Sequence, residues 1–85
     1  MSVRPIVEVT WFDAQTSIES LYVDEIKKHL KPCLSKSVGY LIHENKEFIV
    51  LGFLDFGDGL IKHHQVIPLS IIKDKKIIRD GSKID

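Results

Sequence analysis

The stretch S-V-G-Y-L-I-H-E-N-K-E-F-I-V-L-G-F-L, residues 37–54, decides the fold. Val38, Tyr40 and Ile42 alternate with Gly39, Leu41 and His43, which is the two-residue period of a strand whose side chains point to opposite faces. Glu44-Asn45-Lys46-Glu47 is a polar turn, and the run after it, residues 48–54, is apolar on both faces. Together they predict a hairpin whose second strand is central and covered on each side, by a helix on one and by the sheet's own interior on the other. Gly52 within the apolar run predicts a bulge or sharp bend.

Upstream, residues 4–13 place Val7, Val9 and Trp11 on one side of a strand period and Glu8 and Thr10 on the other, a half-buried first strand. Thr16 stands three residues before Glu19, the spacing of a reciprocal helix cap, and Ile18, Leu21, Tyr22, Ile26 and Leu30 follow helical steps up to Pro32. An amphipathic helix is expected there. Downstream, Gly57-Asp58-Gly59 is a tight turn, and a strand runs from Leu60 to Ile67, where Pro68 closes it. Ser70-Ile71-Ile72 reads as one helical turn, residues 75–79 as a last short strand, and residues 82–85 as a frayed tail. The expected class is α+β: a small, strongly bent antiparallel sheet or barrel of about five strands, with one amphipathic helix between strands one and two, in a single domain spanning residues 1–85.

Composition bounds the rest. The 85 residues are 44% hydrophobic and carry 12 basic and 12 acidic side chains, so no long-range field draws a polyanion and nucleic acid is not an expected partner. At this size folding should bury about 60 to 65% of the unfolded chain's surface. The charges run in blocks of net −4 over residues 1–26, +4 over 27–46, −3 over 47–59 and +3 over 60–85. Lysines 27, 28, 31 and 36 meet lysines 73, 75 and 76 and Arg79 on one basic face only if folding brings the segments together. The one cysteine, Cys33, cannot form an internal disulfide, no apolar leader is read at the start, and no apolar run approaches the roughly 20 residues of a membrane span. A cytoplasmic location with no membrane partner is expected.

A first strand ending in Trp11-Phe12-Asp13, two hairpin-linked strands, and Pro68-Leu69-Ser70 before a short final strand resemble an SH3-like barrel, in which a helical turn separates the last two strands. The expected helix stands where that family has a long loop, and no tryptophan follows the second strand, so the family's peptide groove is not carried over. A second resemblance covers residues 9–78. Trp11 and Asp13, S-V-G-Y-L at 37–41, I-V-L at 49–51 and I-P-x-S-x-I at 67–72 are similar to short proteins of bacteriophages and prophages, which implies a host bacterial cytoplasm and an accessory role.

No enzyme is expected from the residues that carry chemistry. His29 and Cys33 are four apart, but Pro32 lies between them, and the adjacent His63 and His64 of a strand point to opposite faces, so no metal centre is expected. Asp55 and Asp58 flank a turn, where Asp is favoured for local backbone hydrogen bonds. Gly57-x-Gly59 lacks the rest of any phosphate loop, and no cofactor is expected. Apolar residues remain that one helix cannot cover, and such area is commonly buried against a partner. The expected function is therefore stoichiometric, non-catalytic binding to a bacterial host protein, as inhibitor or adaptor, through Trp11, Phe12, Asp13, Asp55, Phe56 and Asp58. Two alternatives stand beside it: a homo-oligomer that sequesters a nucleotide-like ligand with Lys62, His63 and His64, and a weak nucleic-acid-binding barrel.

Overall fold

The computed structural model describes residues 2–14, 20–28 and 32–83. In chain order it contains β1 (Ser2–Val3), β2 (Ile6–Asp13), α1 (Val23–Lys27), β3 (Cys33–Glu44), β4 (Phe48–Asp55), β5 (Ile61–Pro68), a 3-10 turn (Leu69–Ile71), β6 (Ile72–Arg79) and β7 (Ser82–Lys83). Five strands form one antiparallel sheet in the order β5-β4-β3-β2-β6, and β1 pairs with β7 in a small second sheet. The fold is mostly β with little helix. The large sheet is not closed, because β5 and β6 stand at its opposite edges.

The bend of this sheet is built into β3. Its first half pairs with β2, from Asp13↔Cys33 to Ile6↔Tyr40, and its second half pairs with β4, from Tyr40↔Gly52 to Glu44↔Ile49. At Tyr40 the pairing passes from β2 to β4, and apolar residues of both strands meet in one core. The register shifts between Leu41 and His43, where Ile42 is the extra residue. The bulge expected at Gly52 thus lies on the opposite strand. Gly52 itself stays in register with Tyr40 and His64, and it is small because its neighbours leave no room: a Cβ there would lie 2.6 Å from Ile61 Cγ2 and 2.9 Å from Ile42 Cδ1.

The core is Val7 and Val9 from β2, Ile49 and Leu51 from β4, and Ile67 from β5, with Trp11, Leu41, Ile71 and Ile72 packed against it. The 3-10 turn carries the chain from one edge of the sheet to the other and brings Ile71 and Ile72 onto this core; it is tied down by Leu69 N donating to the Glu47 carbonyl at 2.9 Å. Residues 82 and 83, expected to fray, pair instead with Val3 and Ser2. Gly81 permits this, since a Cβ there would meet the Val3 carbonyl oxygen at 2.9 Å and Pro5 Cδ at 3.0 Å.

Two further expectations are corrected. The helix is five residues long among the described positions, preceded by non-helical residues 20–22, and it buries nothing. Tyr22, assigned to its buried face, is 82% exposed, and Leu21 and Ile26 are exposed as well. Thr16, Ile18, Glu19 and Leu30 lie outside the described residues. A five-residue helix has too few internal hydrogen bonds to stand without packing, and none of its side chains is buried. The second correction concerns compactness. The accessible surface is 6922 Å², so folding buries about half of the roughly 14,100 Å² of the unfolded chain. The molecule measures 62 × 21 × 20 Å, with a radius of gyration of 17.0 Å where a compact chain of this length has about 12 Å.

Candidate binding surface

At the far end of β2, Trp11 is half-buried and held by a short relay. Its indole Nε1 donates to Ser37 Oγ at 3.0 Å, and that hydroxyl donates to Gln65 Oε1 at 2.7 Å. Because Ser37 lies on β3 and Gln65 on β5, the relay crosses the interior of the bend and fixes the indole in place. Phe12, the next residue, points to the other face of the strand and is 39% exposed. Its register partner Leu34 is 47% exposed, so the two make an apolar pair across adjacent strands. Asp13, opposite Cys33, is only partly buried.

The tip of the β4–β5 hairpin has a different construction. Gly57, Asp58 and Gly59 all have positive φ, at 83°, 53° and 79°. Three left-handed residues in a row turn the chain sharply, and glycine suits two of them because it has no Cβ to clash. Asp55 Oδ1 accepts from Gly57 N at 2.8 Å, while Phe56 N donates to the Leu60 carbonyl and Leu60 N to the Gly57 carbonyl, both at 3.0 Å. The turn therefore sets Phe56 and Leu60 side by side, 61% and 64% exposed. Phe53 and Leu54 continue the apolar run behind them.

These two groups belong to different hairpins, with β3 between β2 and β4, and among the described residues no strand pairing joins them. Sequence reasoning missed Leu34 and Leu60. Leu34 was legible: Leu34, Lys36, Val38 and Tyr40 share one strand period, which extends β3 back past Lys36.

Lys62, His63 and His64 are all exposed on β5. His63 has φ 59°, a left-handed conformation that costs a side-chain-bearing residue about 1 to 2 kcal/mol. The basic residues are interleaved with acids. Lys36 Nζ lies 3.6 Å from Glu8, Lys75 Nζ lies 2.9 Å from Glu44, Lys76 is the register partner of Glu8, and Asp24 and Glu25 share α1 with Lys27. Arg79 donates to the Arg4 carbonyl and lies over the Tyr40 ring, 5.9 Å from its centre. Lys31 and His29 are outside the described residues. No helix among the described residues is long and apolar enough to cross a membrane. Set against known protein families, curated proteins and solved structures, the chain matches none.

Proposed function

We propose that this chain is a non-catalytic accessory protein of the bacteriophage type, working in the host cytoplasm by stoichiometric binding to a bacterial protein. The observation that carries the reading is the Phe12–Leu34 pair: two large apolar side chains exposed opposite each other on a strand pair, with Trp11 of the same strand locked by the Ser37–Gln65 relay. An apolar pair on rigid strands loses little conformational entropy on docking, and an aromatic at the centre of such a patch supplies a disproportionate share of binding energy. Asp13 at its border adds a charge for orientation. The SH3-like assignment belongs to the same proposal; its support is the antiparallel order β5-β4-β3-β2-β6, with a 3-10 turn after Pro68 leading to the last long strand.

The test compares the wild-type chain and Phe12→Ala as baits in a bacterial lysate, read by native mass spectrometry. The wild type retains one host protein at fixed ratio, and Phe12→Ala, still folded by circular dichroism, loses it at least tenfold. Equal retention by the two would remove this surface from the proposal.

A further inference from the structure

We infer that the Asp58–Gly59 peptide at the tip of the β4–β5 hairpin is a site of self-modification, where the chain passes through a cyclic imide to isoaspartate, and that the fold directs this chemistry to Asp58 and withholds it from Asp80. The inference uses neither the Phe12–Leu34 pair nor any partner.

Two aspartates of the chain, Asp58 and Asp80, precede a glycine. That dipeptide is prone to imide formation because glycine has no Cβ to hold the carboxyl away from the following amide nitrogen. In the reaction the Gly59 nitrogen attacks Cγ of the neutral Asp58 carboxyl, an N–Cγ bond forms, and the amide hydrogen leaves with the carboxyl OH as water. Water then returns at either ring carbonyl. Attack at Cγ restores aspartate. Attack at the former main-chain carbonyl breaks that carbon's bond to nitrogen and leaves the backbone running through Cβ and Cγ, as isoaspartate. Water lost in the first step is regained in the second, so no other co-reactant is needed.

The sequence makes the two sites equal, and both are exposed. Their surroundings separate them. A Cβ built on Gly57 or Gly59 would meet nothing within 4 Å. The side-chain bond at the tip goes to Asp55, whose Oδ1 accepts from Gly57 N, and among the described residues no hydrogen bond holds the Asp58 carboxylate or the Gly59 amide. Rotation about the Asp58 Cα–C bond therefore swings the Gly59 nitrogen toward the carboxyl in open solvent, against one bond across the turn, from Leu60 N to the Gly57 carbonyl at 3.0 Å. Asp58 also has φ 53°, a conformation that a side-chain-bearing residue rarely adopts. Routing the backbone through Cβ relieves it.

At Asp80 the amide that must swing is enclosed. A Cβ on Gly81 would lie 2.9 Å from the Val3 carbonyl oxygen and 3.0 Å from Pro5 Cδ. The residues on either side are pinned as well: Arg79 pairs with Ile6 and donates from Nη2 to the Arg4 carbonyl at 2.8 Å, and Ser82 pairs with Val3. At the tip, isoaspartate adds a backbone atom inside the ring closed by the Phe56–Leu60 and Leu60–Gly57 bonds. That turn opens, and Phe56 and Leu60 lose their fixed spacing.

The test is to age the full chain at neutral pH, folded and in concentrated urea, and to map isoaspartate by electron-transfer mass spectrometry of its peptides. In the folded chain isoaspartate accumulates at residue 58 about tenfold faster than at residue 80, and in urea the two rates converge, because local structure alone sets them apart. Asp58→Glu, which would have to close a larger and slower ring, removes the signal at the tip and leaves that at residue 80. In the aged wild type the Leu60 amide loses exchange protection while residues 49–51 keep theirs. Equal rates in the folded chain, or a faster residue 80, would overturn the inference. So would a preference for residue 58 that urea leaves unchanged, since neighbouring sequence would then account for it, or a folded chain that forms no isoaspartate at residue 58 while the unfolded chain does.

Discussion

The two halves of β4 share a composition and differ in surroundings. Phe48, Ile49, Val50 and Leu51 lie between β3 and β5, with Ile49 and Leu51 completely buried; Phe53 and Leu54 lie past Gly52, where the β3 pairing ends, and are exposed. Burial along this strand is therefore set by which neighbours continue beside it, not by hydropathy. The switch of partners at Tyr40 supplies the inner half with a second flank, and the outer half keeps β5 alone.

Leu51→Ala and Leu54→Ala probe that contrast with one chemistry on one strand. Leu51→Ala should cost about 2 to 5 kcal/mol, the range for truncating a buried leucine, measured as a shift of the urea midpoint at unchanged slope. Leu54→Ala should cost no more than half as much, because that side chain is already 45% exposed. Equal costs would erase the distinction between the halves. Gly52→Ala sits at the boundary and should cost about 1 to 3 kcal/mol by overpacking, since its Cβ would press on Ile61 and Ile42; a neutral outcome in the same titration would mean that β5 can shift away.

Smaller effects sharpen the picture of how each half is held. Trp11→Phe keeps an aromatic ring and removes the bond to Ser37, for an expected loss of about 0.5 to 1.5 kcal/mol; no loss would show that packing alone positions this side chain. His63→Gly should raise stability by about 1 kcal/mol as left-handed strain is relieved. It should also weaken the protection of the β5 edge, visible as slow growth of larger species in light scattering.

Much of the sheet was legible in the sequence. Alternation located β2 and most of β3, a run apolar on both faces located β4, the polar turn is closed as its composition suggests, with Asn45 Oδ1 accepting from the amides of Glu47 and Phe48, and Pro68 marks the end of β5. What stayed hidden depends on long-range neighbours. Helical periodicity over residues 18–30 says which side chains share a face but not whether any sheet receives that face, and the described part of the segment buries nothing. The pairing of β1 with β7 is two residues long, too short for a period. At the binding surface, Phe12 and Phe56 could be singled out as aromatics near strand ends. Their separation onto two hairpins follows from the strand order, which no local pattern encodes.

Amide hydrogen exchange of the full chain tests most directly whether the strands beside β4 set its two halves apart. The amides of residues 49–51, flanked by β3 and β5, are expected to be among the best protected, and those of residues 53–56, past the end of the β3 pairing, to exchange markedly faster. Equal protection along the whole strand would contradict this.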